Sequence, residues 1–287
     1  MAHHPNPAWT GNVRLLGVDF TSAPRPAKPI TVASGHLDGT SIHLETLEHC
    51  PDWTSFDAML ACPGPWLGGF DFPFGLPRRA VEDLGWPLDW AELVAHCATL
   101  GRERFRAALD AYRQSRPMGS RYPHRATDLP ARSHSPLKLV NPPVGLMFLE
   151  GVPRLYAAGV TVAGMHCGDP ARVAVEAYPG LLARWIRADS YKSDDRRKHT
   201  AERTQARAHI ADALALGNHP LRLRLDMSAQ LRQRLIDDHS GDLLDAALAL
   251  VQAGWCVSAG PPGFGLQDGF DALEGWIAGA QLGDAAV

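Results

Sequence analysis

The sequence predicts an α/β domain in which a mixed five-stranded sheet is flanked by helices. Three observations lead to that class. Short apolar runs bounded by turn residues alternate with segments of helical period near both ends of the chain. Two of those runs, Val13–Phe20 and Trp66–Asp71, reach an aspartate at or near their end. Residues 78–158 abandon this alternation for helical and Pro-rich sequence, which marks an insertion.

The elements follow in order. Residues 1–11 are polar and contain Pro5 and Pro7, so a flexible N-terminal tail is expected before a single domain over residues 12–280. Val13–Phe20 reads as a buried strand, closed by the turn-prone Thr21-Ser22-Ala23-Pro24. Ile30–Ser34 and Ser41–Leu47 form the second and third strands, with Asp38-Gly39 as the hairpin turn. A helix follows from Asp52, with Asp52 or Thr54 as its N-cap. Trp66–Asp71 is the fourth strand, stopped by Pro73 and Pro77. If the first and fourth strands lie side by side, Asp19 and Asp71 open onto one crevice.

Within the insertion, Ala80–Leu84, Trp90–Leu100, Arg104–Arg113 and Gly145–Ala158 have helical patterns, while Pro117–Pro143 reads as an extended loop. A loop of this length in a compact domain is usually functional or disordered, and the whole stretch reads as an insertion that lids or flanks a site. Arg172–Glu176 resumes the core as a fifth strand ending in a carboxylate, followed by a helix from Leu181. Residues 195–216 read as one long charged helix, and Ala229–Asp238 and Asp242–Ala253 as two more. Phe270–Ala278 is expected to form a short terminal element.

Composition excludes several classes. Apolar residues make up 45% and charged residues 21%, the profile of a chain with a full core. A net charge of −3 gives no global nucleic-acid footprint, but the charge is uneven. Arg102–Lys138 holds nine Lys/Arg against three Asp/Glu, and Tyr191–Arg207 six against three, so an anionic partner has two places to bind. Five scattered cysteines without a Cys-x-x-Cys argue for reduced thiols rather than a disulfide framework or zinc ribbon. The N-terminus has no apolar core of a signal peptide and no uninterrupted apolar window reaches membrane-spanning length, so a cytoplasmic location without membrane association is expected.

Five acids recur at comparable places: Asp19, Asp71 and Glu176 at strand ends, and Asp242 and Asp245 at i and i+3 on one helix face. Asp242 follows Ser240-Gly241 and has a capping explanation. Asp245 resists that explanation, because it interrupts Leu243, Leu244, Ala246, Ala247 and Leu248, so it is expected to be partly buried and to need a partner. Clustered buried carboxylates repel unless a cation neutralises them, and oxygen donors suit Mg²⁺ or Mn²⁺. Basic residues available to an anionic substrate are Arg121 and Arg125 in the inserted loop and Lys192, Arg196 and Arg197 after the fifth strand, with Tyr122 as a stacking surface.

Gly17-Val-Asp19-Phe, Phe70-Asp71-Phe-Pro, Arg125-Ala-Thr-Asp128, Glu176-Ala-Tyr-Pro, Asp242-Leu-Leu-Asp245-Ala and Glu274-Gly-Trp-Ile together resemble the RNase H-like superfamily. More closely, they are similar to its predicted-nuclease family catalogued as domain of unknown function 429. The matches run over nearly the whole chain, from about residue 13 to 277. The resemblance implies an RNase H-like sheet and a divalent-metal-dependent nuclease with two Mg²⁺ or Mn²⁺ ions. Asp19, Asp71 and Asp245 would be metal ligands, with Asp242 or Glu176 completing a shell or positioning the attacking water. It implies DNA or RNA as substrate. The alternatives are a non-catalytic nucleic-acid- or protein-binding module on the same fold, or a phosphotransferase on the related actin-like ATPase fold. The second lacks paired Gly-rich phosphate loops in this sequence.

Overall fold

The structure, a computed structural model, describes residues 13–285, so the tail expected over residues 1–11 lies outside the described residues. The sheet is mixed and has seven strands rather than five, in the order β5-β6-β4-β1-β2-β3-β7. β1 (Arg14–Asp19), β2 (Ile30–Asp38) and β3 (Ser41–Cys50) form an antiparallel meander. β4 (Trp66–Phe70) runs parallel to β1, and β6 (Asp169–Glu176) parallel to β4. The two additional strands, β5 (Val160–Val162) and β7 (Arg224–Asp226), extend the edges. Each has three residues, too few for an alternation to stand out from loop sequence.

Strand alternation sends side chains to two cores, one on each face of the sheet. Leu16, Val18, Phe70 and Trp66 pack with α1 (Trp53–Leu60), α2 (Arg78–Asp83), α3 (Trp90–Gln114) and α5 (Val144–Ala157). Helices of the 78–158 segment therefore cover most of one face of the sheet and supply about half of the core on that face. Leu15, Ala33, Ile42 and Leu67 face the other way, against α6 (Pro179–Ile186), α7 (Ala201–Leu216), α8 (Ala229–Asp237) and α9 (Asp242–Ala259).

α9 lies at the centre of the second layer, apolar on all sides and buried nearly throughout. By length and composition it could cross a membrane, yet it is a core helix here, mostly buried inside the protein. It approaches the sheet closely because two strand positions lack side chains. A Cβ on Gly17 would lie 2.1 Å from the Ala246 carbonyl oxygen and 2.2 Å from the Leu250 nitrogen, and one on Gly69 would lie 2.7 Å from the Ala249 oxygen. These contacts set the helix register over β1 and β4.

Several boundaries differ from the sequence reading. The charged helix starts at Ala201, where Thr200 caps it, and residues 196–198 form a separate 3₁₀ turn. The two helices expected within 90–113 are both present, since α3 is broken at Gly101, whose φ of 67° and ψ of 172° lie outside the helical region. α9 continues to Ala259 and ends at Gly260, φ 73°. Residues 117–143 are folded onto the body: α4 (Asp128–Ala131) lies within them, and Arg125, Thr127, Asp128 and Ser135 are buried. Residues 270–278 contain no helix or strand, only a bridge from Ile277 to Glu176. Asp52 caps α1 as expected, accepting from the Ser55 nitrogen at 2.8 Å.

Candidate active site

β1 and β4 are neighbours with Val18 opposite Phe70, and the Asp71 nitrogen donates to the Val18 carbonyl at 2.9 Å. Their C-terminal ends therefore place Asp19 and Asp71 side by side. The close seat of α9 on Gly17 sets its first turn above them, adding Asp242 and Asp245. Asp245 is fully buried, as its apolar neighbours require. Its two oxygens accept from the Tyr191 hydroxyl and the Lys192 ammonium. Asp242 does not cap the helix. Gly241 holds that position in the left-handed region, and the Asp238 carboxylate accepts from the Leu243 nitrogen at 2.8 Å. Freed from capping, Asp242 takes the Lys28 ammonium on both oxygens, at 3.0 and 2.9 Å.

Glu176, across from Phe70 on β6, lies next to this group but is held differently. Arg125 reaches it with two parallel hydrogen bonds, 2.8 and 2.7 Å, and the Phe74 nitrogen donates to the same carboxylate at 2.9 Å. The other Arg125 donors go to Asp128, at 2.8 Å for the shortest, and to the Glu274 carbonyl at 2.9 Å. With every N–H engaged inside the protein and only 2% of its surface exposed, Arg125 fastens the inserted loop to β6 and has no donor left for substrate. This corrects its expected role as a substrate contact. Glu274 is a fastener too, accepting from the backbone nitrogens of Arg78 at 2.8 Å and Ala126 at 2.9 Å.

The remaining basic residues divide. Lys192 is at the site, while Arg197 pairs with Asp195 at 3.0 Å on the turn that Arg196 begins. Arg121 donates to the Arg116 carbonyl at 3.2 Å, and neither it nor Arg197 lines the cleft. Tyr122 is exposed under the Arg113 guanidinium, also away from the cleft. The sequence reading missed Lys28, Tyr191 and Arg184. Lys28 sits in the β1–β2 connection, where reciprocal backbone hydrogen bonds with Arg25 form a tight turn across the mouth of the site. No periodicity marks such a residue.

Above the acids opens a cleft of about 770 Å³, the volume of a small-molecule site. Asp19, Asp71, Glu176 and Asp242 line its floor. Burial pushes Asp19 well above the usual carboxylate range, and Asp242, Asp245 and Asp71 add to the rise while Lys192 opposes it. Asp71 is pushed up to about 7 by burial, then by Asp245 and Glu176, again against Lys192. Burial also raises Asp245 and outweighs its two donors. Burial alone would lower Lys192, but Asp245, Tyr191 and Asp19 hold it well above the ordinary lysine value.

A pH effect on stability follows. Native Asp71 keeps a proton that the unfolded chain has lost between about pH 4 and 7, so the native state binds more protons in that window. Its contribution is most favourable at low pH and is lost as pH rises through about 7. Asp71→Asn is expected to stabilise the metal-free protein at pH 8 by roughly 1–3 kcal/mol and to flatten this slope, as measured by urea unfolding across pH. An unchanged slope would contradict the clustering of charge.

The donor chemistry suits a hard divalent cation, since the cluster is all carboxylate without Cys or His. Among the described residues, however, no group of three or more His, Cys, Asp or Glu is gathered so as to hold a metal ion. Lys28 and Lys192 supply the positive charge at the cluster instead.

No protein-family model matches the chain, and no curated protein or solved structure matches it.

Proposed function

We propose that this chain is a divalent-metal-dependent phosphodiesterase acting on DNA or RNA, built on an RNase H-like fold. The fold part is supported by the antiparallel meander followed by parallel strands, with acids at the ends of β1 and β4 and at the start of the last long helix. The observation that carries the chemical part is the convergence of Asp19, Asp71 and Asp245 at a cost in repulsion. A fold stabilised for its own sake would not set a buried carboxylate, Asp245, against two half-buried ones, Asp19 and Asp71, at an open cleft.

Asp19, Asp71 and Asp245 would hold Mg²⁺ or Mn²⁺, two ions in the full arrangement, with Asp242 beside them. Bound there, the ions would supply an activated water and neutralise the phosphoryl oxygens. The protein's own groups complete the chemistry. Lys192, whose side chain is 45% exposed, can leave Asp245 and turn its ammonium toward a phosphate oxygen. Tyr191 then keeps the Asp245 carboxylate oriented. Arg125 fixes Glu176 at the rim of the cluster, in a positioning role rather than as a ligand.

A second reading, a non-catalytic binding module, draws on one observation: Lys28 and Lys192 already compensate much of the acidic charge without metal. Cleavage of bis(p-nitrophenyl) phosphate and of nucleic acid with added Mn²⁺ separates the two. Catalysis that falls about 10²-fold or more in Asp19→Asn supports the enzyme. Cleavage unchanged in that variant would reject this site.

A further inference from the structure

The cleft above the acids has two unlike walls. One comes from the inserted segment, with Pro142, Pro143, Val144 and Met147 forming an apolar surface. The opposite wall comes from α6 and the segment after it, with Tyr178, Arg184, Arg187 and Lys192. The Arg184 guanidinium lies over the Tyr178 ring, 5.1 Å from its centroid, which makes a flat cationic and aromatic platform. The same guanidinium donates to the Ala131 carbonyl at 2.6 Å, so the two walls are joined where α6 meets the insertion. A trough open at both ends would let a continuous double helix lie along its floor. A cleft of about 770 Å³ has the size of a small-ligand site and cannot take in stacked, paired bases. A B-form major groove alone is about 12 Å wide, and the bases of a duplex are stacked and paired inside it.

Resting on the phosphodiesterase reading, we propose that the substrate is single-stranded nucleic acid, entering as an unpaired strand or a frayed end. One or two nucleotides occupy the cleft. A base packs against the Val144–Met147 wall or on the Tyr178–Arg184 platform, and its phosphates run past Arg187 and Lys192 toward Asp19 and Asp71. Stacking on such surfaces tolerates any base, so the site reads strandedness rather than sequence. DNA and RNA strands share this chemistry.

The test uses the full chain carrying Asp19→Asn, which removes turnover, and fluorescence anisotropy. The probes are fluorescein-labelled DNA and RNA strands of about 12 nucleotides, each alone and as a blunt duplex. Either strand alone should bind at least about tenfold tighter than its duplex, the size of one stacked base. Adding Tyr178→Ala should reduce that preference, and adding Val144→Trp, which fills the apolar wall, should reduce it without touching the platform. Equal or tighter duplex binding would overturn the proposal, while Mn²⁺-dependent cleavage of bis(p-nitrophenyl) phosphate by the wild type would leave the phosphodiesterase standing. Diester cleavage without binding of any strand would overturn it as well. Loss of both cleavage and binding would overturn the proposal together with the reading beneath it.

Discussion

Gly17→Val is expected to prevent the chain from folding, or to destabilise it by more than about 3 kcal/mol. A side chain at this position meets backbone on α9, with the Ala246 oxygen 2.1 Å and the Leu250 nitrogen 2.2 Å from the first added carbon. No rotamer change relieves a clash between main chains, so the helix must rise from β1. Denaturant unfolding gives the stability, and retention of soluble protein gives the coarse answer. Because the same contact sets Asp245 over Asp19, a folded Gly17→Ala variant should lose catalysis beyond its loss of stability. Near-wild-type stability in Gly17→Val would show that α9 does not sit where the structure places it.

The second large effect concerns Arg125. Arg125→Met should cost about 3–5 kcal/mol, because it leaves Glu176 and Asp128 buried without their shared cation. Neutralising one acid at the same time should return part of that loss, so Arg125→Met with Glu176→Gln should be more stable than Arg125→Met alone. The sign of this interaction distinguishes a buried ion network from simple loss of packing. If Arg125 contacted substrate instead, the single variant would weaken binding while leaving unfolding almost unchanged.

The strand-end acids were legible because their signal is local: an apolar run, then a carboxylate. The helical acids were legible because Asp245 interrupts an apolar helix face, a position that calls for a partner. Asp242 misled for the same local reason. Ser240-Gly241-Asp242 has the composition of a cap, but Gly241 takes the left-handed turn and Asp238 accepts the exposed N–H, which depends on the path of the preceding loop. Arg125 was visible as a residue but not in its role. Whether an arginine in a Pro-rich loop points to solvent or to a carboxylate fifty-one positions away is a tertiary fact. Lys28 carried no pattern, because the β1–β2 connection brings it across the mouth of the site. The short edge strands β5 and β7 escaped for want of length. The mainly helical stretch after the fourth strand was legible from its periodicity, yet its packing on the sheet face could be read only from three dimensions.

The central claim is that the carboxylates of β1, β4 and the first turn of α9 form one cation site. Titration of Mn²⁺ into the metal-free protein at pH 7.5 to 8, followed by calorimetry, tests it without reference to any substrate. The account predicts saturable binding that is lost or strongly weakened in both Asp19→Asn and Asp245→Asn, two residues from opposite ends of the chain, each variant remaining folded. No binding by the wild type, or binding that both variants retain unchanged, would contradict it.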